Sequence, residues 1–321
     1  MRAGEPEVIV IGGAVADIPL APVNRAVFEA GSWPMERIAM RTGGDAANEA
    51  VTLCRLGHSA ALVSKLGADA AGDFVLGELR RAGVDTGCVK REAGLDTSIN
   101  IVLVREDGER GFITSRSGSL RRLSLADILP ALSAPRLSRA KIACLASLFV
   151  SPALDLSDTA SLFDALRARG LLLCADTTRR KNGETLREAG AALSRLDYFF
   201  PNLEEAALLT GRDDADAAAD ALLDAGVGHV AIKLGGRGCL LKSARERHLV
   251  PACPGVRCLD TTGAGDTFAA TFIAALLEGR CLRDCGRYAN AAASLCVERL
   301  GATEGAWRRG DVLSRLARIP E

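Results

Sequence analysis

Short apolar runs of strand length alternate with longer amphipathic runs of helical period along most of this chain, a pattern that points to a mainly parallel sheet covered by helices. The spacing predicts strands at Glu7–Ile11, Ala60–Lys65, Lys141–Leu145, Leu171–Ala175, Tyr198–Phe200 and His229–Lys233. Helices are expected between them at Ala46–Leu56, Ala71–Arg81, Asp158–Arg169, Glu204–Leu209 and Ala215–Leu223. Two more, Gly265–Leu277 and Asp284–Arg299, follow near the C-terminus, and the tail after Trp307 reads as one closing helix. A chain of 321 residues has room for one large α/β domain or two smaller units. With no internal repeat and no low-complexity linker to divide it, a single domain over residues 1–321 is expected.

Two segments break the rhythm. Between Ala14 and Thr42 the chain carries Pro19, Pro22 and Pro34 and then an alternating stretch, Arg37–Arg41. Between Ser98 and Ser115 it reads as two strands joined by Asp107-Gly108, a strong hairpin signal. Each follows a strand, so the two insertions, about 14–42 and 97–118, are expected to pair into a small antiparallel sheet over the C-terminal edge of the main sheet. Such a sheet would act as a lid, and a homodimer, if one forms, is expected through it.

Composition narrows the partner classes. Lys plus Arg (40) balances Asp plus Glu (40), so no net field favours nucleic acid or an anionic membrane surface. The opening MRAGEPEVIVIGG is too short in its apolar part for a spanning helix and lacks a secretory cleavage pattern, so a cytoplasmic protein acting on a small molecule is expected. None of the ten cysteines forms a Cys-x-x-Cys pair, and most sit in apolar runs where a thiol behaves as a small buried hydrophobe.

The segment Asp260-Thr261-Thr262-Gly263-Ala264-Gly265-Asp266 runs straight into a helix-forming stretch. Small residues there let backbone N–H groups converge at a helix N-terminus, where unsatisfied donors and the helix dipole favour an anion. Donors aimed at a migrating phosphoryl group lower the barrier to its transfer. Asp266 beside such a hole makes sense as the acceptor of a hydroxyl proton, since an ordinary Asp, with a pKa of about 3.9, is ionised at neutral pH. The plainer alternative is a helix cap.

With Thr267-Phe268 added, this string resembles the C-terminal signature of the PfkB, or ribokinase-like, carbohydrate kinases. The resemblance implies a ribokinase-like α/β fold with a β lid and an ATP-dependent kinase. It also implies Asp266 as catalytic base and Gly263, Ala264 and Gly265 as the anion hole. Thr42-Gly43-Gly44-Asp45-Ala46-Ala47-Asn48 is similar to the family's N-terminal signature, where glycines let a ligand approach the backbone and Asn48 offers a donor and an acceptor to sugar hydroxyls. Alone, Gly-Gly before a helix reads more simply as a turn. Asp17 after the first strand matches the family's substrate-binding Asp, and is otherwise a solvated loop acid. Gly67-Ala68-Asp69-Ala70-Ala71-Gly72 also resembles a family stretch, read here as a turn and helix cap.

On the nucleotide side, Asn202-Leu203-Glu204-Glu205 matches the family's Asn-x-x-Glu motif, which implies Mg2+ held by Glu205 through water. The same residues also make a capping pattern, and the two readings are compatible. Lys233-Leu234-Gly235-Gly236-Arg237-Gly238 resembles the family's nucleotide loop, or else a glycine hairpin. Asn290 matches the adenine-side helix, and Gly301-Ala302 the pair that follows it. The resemblance further implies a monovalent cation, K+, at Asp260. In total it spans roughly Val8 to Ala302, in the family's order.

Departures bear on the substrate. Asp176-Thr177-Thr178-Arg179 keeps the family's Asp and Arg with a changed middle, and no acid follows Lys141–Leu145 as it does in ribokinases proper. Arg116 stands where 2-keto-3-deoxygluconate kinases carry an Arg that reads an acidic sugar, and is otherwise a solvated lid residue. A sugar-like alcohol is the expected substrate, with a nucleoside or an acidic sugar as alternatives on the same fold. A non-catalytic sugar-binding protein would have lost the base, the hole or the nucleotide loops, and this chain keeps them all. A Rossmann dehydrogenase would need Gly-x-Gly-x-x-Gly opening a helix, which Gly12-Gly13-Ala14-Val15-Ala16-Asp17-Ile18-Pro19 does not supply.

Overall fold

The computed structural model describes residues 5–35, 38–105, 110–178, 183–299, 301–303 and 307–319. The expected hairpin turn at Asp107-Gly108, and Arg37 and Arg179, lie outside these residues. The strands are β1 (Val8–Ile11), β2 (Val15–Leu20), β3 (Arg41–Gly43), β4 (Ala60–Gly67), β5 (Asp85–Glu92), β6 (Ile99–Val104) and β7 (Arg110–Thr114), then β8 (Ile142–Leu148), β9 (Leu172–Thr177), β10 (Tyr198–Phe200), β11 (His229–Lys233), β12 (Cys239–Ser243) and β13 (Arg247–Val250). The helices are α1 (Asp45–Arg55), α2 (Ala70–Arg81), α3 (Leu125–Leu132), α4 (Leu156–Arg167), α5 (Leu186–Leu193), α6 (Leu203–Thr210), α7 (Ala215–Asp224), α8 (Ala264–Leu277), α9 (Leu282–Val297) and α10 (Arg309–Leu316).

Among the described residues, a nine-stranded sheet runs β13-β12-β11-β10-β9-β8-β1-β4-β5. Its strands are parallel from β5 to β11, and β12 and β13 complete one edge antiparallel. Side chains alternate across a strand, so Val8 and Val10 of β1 enter one core while Ile9 and Ile11 enter the other. Residues of α1, α2, α8, α9 and α10 cover the first face and those of α3 to α7 the second. Strands buried on both faces read as unbroken apolar runs, which is why the central ones are visible in the sequence. Edge strand β5 (DTGCVKRE) is charged on its outer side and escapes that pattern.

A second sheet, β3-β2-β6-β7, forms the lid. The expected antiparallel arrangement needs correction: β2–β3 and β6–β7 are antiparallel, but the central pair β2–β6 is parallel. The cause is topological, because β2 and β6 continue from β1 and β5, which run the same way in the main sheet. Cys88, Cys144, Cys174, Cys239, Cys253, Cys285 and Cys296 are buried, as expected for thiols in apolar runs, whereas Cys258 and Cys281 are exposed. No helix among the described residues is long and apolar enough to cross a membrane.

Asp69 ties the lid to the main domain. Its Oδ1 accepts the Gly72 amide at 2.8 Å, capping α2, and the Thr97 hydroxyl at 2.7 Å, while Oδ2 accepts the Thr97 amide at 2.8 Å. Thr97 leads directly into lid strand β6. Asp69→Ala is expected to cost about 1–2 kcal/mol of unfolding free energy, the usual scale of a lost N-cap, read as a lower urea midpoint.

Candidate active site

Strand order reverses about β1: β4 and β5 lie on one side, β8 and its successors on the other. In such sheets ligands bind beyond the carboxyl ends of the strands at the reversal. A cavity of about 780 Å3 opens near there, lined among others by Asp45, Asp176, Asn202, Glu205, Lys233, Gly265, Asp266 and Asn290.

Asp266 lies in the first turn of α8. Gly263 caps that helix at φ 73°, a conformation that favours glycine, and a Cβ there would stand 2.5 Å from Cβ of Ala302. The Ala264 amide donates to Thr261 O at 3.2 Å, so the first-turn donors left for an anion are those of Gly265 and Asp266. The Asp266 Oδ2 accepts Asn48 Nδ2 at 2.7 Å, joining two motifs 218 residues apart. Asp260 organises the preceding segment: its Oδ1 accepts the Thr262 amide at 2.6 Å and its Oδ2 the Gly301 amide at 2.8 Å. Arg55 braces the returning loop by donating to Thr303 O at 2.5 Å while its guanidinium sits 4.8 Å from the Trp307 ring centre.

Asp266 does not keep the ordinary Asp pKa that its residue type suggests: it is half-buried, and desolvation followed by repulsion from Asp45 raises its pKa well above the usual Asp value despite the Asn48 hydrogen bond.

Across the cleft, Lys233 Nζ donates to Asp176 Oδ1 at 2.7 Å and stands 3.2 Å from where a Cβ on Gly265 would be. A Cβ at 265 would press on that ammonium, which would have to give by a few tenths of an ångström. Burial opposes the charge of Lys233, but the carboxyls of Asp176 and Glu205 outweigh it and raise its pKa. Asn202 and Glu205 form the expected reciprocal cap on α6, with Glu205 Oε2 accepting the Asn202 amide and Asn202 Oδ1 the Glu205 amide, both at 2.8 Å. Burial pushes Glu205 up to about 7, against the pull of Lys233. Gly235, Gly236 and Gly238 also line the cleft. Asn290 lies on α9, its Nδ2 donating to Val250 O and Pro251 O at 3.2 and 3.0 Å.

The lid side is built around Asp17. Register sets Arg41, Asp17, Asn100 and Thr114 side by side across β3, β2, β6 and β7, a polar row in an otherwise apolar sheet. Asn100 Nδ2 donates to Asp17 Oδ1 at 2.9 Å, and a Cβ on Gly43 would stand 2.0 Å from Asp17 Oδ2. Burial raises Asp17 to about 6, offset in part by Asn100. Asp17, Gly43, Gly44 and Asn48 are not part of the cleft wall; they connect to it through the Asn48–Asp266 bond. Arg116 is exposed and also lies outside that wall.

The domain of the pfkB family carbohydrate kinases matches residues 5–309. This chain belongs to the pfkB family of carbohydrate kinases. It is 30% identical over 285 residues to a 2-dehydro-3-deoxygluconokinase of Bacillus subtilis, covering 85% of this chain and 86% of that one. To a ribokinase of Haemophilus influenzae it is 29% identical, over 85% of this chain and 87% of the other. Among solved structures, the Arabidopsis thaliana ribokinase complexed with ribose and ATP superposes with a TM-score of 0.80 at 26% identity, covering 97% and 98% of the two chains. A putative ribokinase II from E. coli, in complex with ATP and Mg2+, shares the fold with a TM-score of 0.83 at 24% identity, over 98% and 99%.

Several residues of this pfkB kinase escaped the sequence reading. Asp176 had no assigned role, yet it anchors Lys233. Asp45 was passed over within its glycine motif, although it lines the cleft. Asn100 carried no signal at all, because its partner Asp17 lies 83 residues away and only strand register joins them. A carboxyl here that is to accept a hydroxyl proton has to be ionised; if Asp266 is that group, kcat/KM is expected to fall on acidification through a pKa above the ordinary Asp range. Asn48→Ala removes the hydrogen bond that lowers that pKa, and should shift the acid limb to higher pH with a loss on the order of tenfold or more.

Proposed function

We propose that this kinase passes the γ-phosphoryl group of ATP in line to a hydroxyl of a small sugar-like substrate, with Asp266 accepting the hydroxyl proton. The observation that carries the reading is the convergence at one helix N-terminus. Asp266 is held there by Asn48 from the Gly43-Gly44 motif, and Lys233 Nζ lies 3.2 Å from where a Cβ on Gly265 would stand. An ammonium and unsatisfied helix N-terminal amides both attract a negative phosphoryl group. The sugar would lie against Asp17, Gly43, Gly44 and Asn48, with ATP along Asn202, Gly235, Gly236, Gly238 and Asn290.

The donor set suits Mg2+. Glu205 faces the cleft with Oε2 committed to the Asn202 amide, leaving Oε1 for a metal-bound water, the way this hard ion is usually held. Mg2+ would neutralise phosphate charge, and Glu205 would position its hydration shell. We further read the Asp260 segment as the seat of a monovalent cation. Turnover in potassium is then expected to exceed turnover in a large organic cation, and equal rates would remove that cation from the scheme.

Two finer readings complete the proposal. The 2-dehydro-3-deoxygluconokinase relative favours an acidic sugar as the second substrate reading, with Arg116 closing over the carboxylate. Phe112 and Ile113 on β7 are each 56% exposed and would be covered if two lids met in a cytoplasmic homodimer. Phosphorylation measured across ketoses, pentoses, sugar acids and nucleosides tests the substrate class. With the best substrate, Asp266→Asn is expected to retain ATP binding and lose about 100-fold or more in kcat. Full turnover in that variant would refute the base assignment.

A further inference from the structure

Glu49 is a buried carboxyl that the phosphoryl-transfer scheme does not use. It lies in the middle of α1, next to Asn48, and is 0% exposed. Among the described residues no nitrogen or oxygen donor meets either carboxyl oxygen, and the only hydrogen-bonding group acting on it is the Cys144 thiol. It stands four positions on from Asp45, so the two share a helix face, with Asp45 lining the cleft and Glu49 one turn further along the helix. The groups that act on it come from each element packed around it: Asp45 on α1 itself, the Cys144 thiol on β8, Cys174 and Asp176 on β9, and Asp266 on α8. The half-buried Lys233 ammonium is committed to Asp176 at 2.7 Å.

An ionised carboxylate without a partner in such a place is untenable. Isolated buried charges shed or take up a proton rather than persist, and like charges at i, i+4 on a helix repel. A thiol is a weak donor and does not replace the lost hydration. Burial first, then repulsion from Asp176 and Asp266, holds the Glu49 carboxyl well above the usual carboxylate range.

We propose that Glu49 is a positioning residue that carries a resident proton in the catalytic cluster, so that negative charge is kept on Asp266 and not stacked beneath it. The proton is taken from solvent on folding and stays on Glu49 through the transfer, while the hydroxyl proton goes to Asp266. The role given to Asp266 rests on the proposed function; the proton on Glu49 does not. If Glu49 lost its proton, a further carboxylate would face the incoming phosphoryl group, and transfer would slow.

The sign of the linkage makes this testable. A carboxyl whose folded pKa is raised contributes stability that is fully present below its unfolded pKa and is lost as pH rises toward the folded value. Glu49→Gln has the shape of the neutral acid and no proton to lose. The folding constant of the variant should therefore gain on that of the parent by about tenfold for each pH unit above about 5. The parent should also show a protonated-carboxyl infrared band at neutral pH that the variant lacks, and its kcat/KM should decline at alkaline pH before that of the variant. A stability gap independent of pH, or identical infrared spectra, overturns the proposal. Should Glu49→Gln fail to fold, Glu49→Met provides the same comparison, and the carboxyl band can be titrated in the parent alone. Asp266→Asn separates the two ideas: it removes turnover if Asp266 is the base, yet leaves the Glu49 band in place.

Discussion

The 2.7 Å hydrogen bond from Asn48 Nδ2 to Asp266 Oδ2 joins the N-terminal regions of two helices that pack side by side on the same face of the sheet. One helix begins where the lid strand β3 returns to the main domain, and the other begins at the glycine-rich turn after Asp260. Because both helices start at the cleft, the bond sets the lid-side residues and the phosphate-side donors in one frame. A break there would cost more than an average hydrogen bond, since it would leave a half-buried carboxyl with one fewer donor among like charges.

That frame concentrates acids where anions must also bind. Asp45, Asp176, Glu205 and Asp266 line one cavity, and Lys233 is the half-buried ammonium among them. Three devices moderate the resulting repulsion. The Lys233–Asp176 pair neutralises one carboxyl directly, helix N-termini supply amide donors, and desolvation pushes the Glu205 carboxyl up to about 7. The arrangement disfavours a bare carboxylate cluster and is suited to ligands that bring their own cation.

The lid is anchored by the same economy of short contacts. Asp69 binds Thr97 at the root of β6, and Asp17 binds Asn100 three residues further on, so the strand carrying the polar row is held at its base and again at that row. Parallel pairing of β2 with β6 is what places Asp17 and Asn100 opposite each other.

Local chemistry was legible from the order of residues alone. Central strands appeared as continuous apolar runs because both of their faces are buried, the Asn202–Glu205 cap followed from its spacing, and the glycine-rich turn before α8 announced a helix N-terminus. The lid could be located but not its pairing, since register and direction depend on where β1 and β5 deliver the chain. Edge strand β5 stayed hidden because only one side of it is buried. The raised pKa of Asp266, the pairing of Lys233 with Asp176 and the burial of Glu49 were decided by tertiary structure, because desolvation and charge repulsion arise between groups that are distant in sequence and meet only when the helices pack.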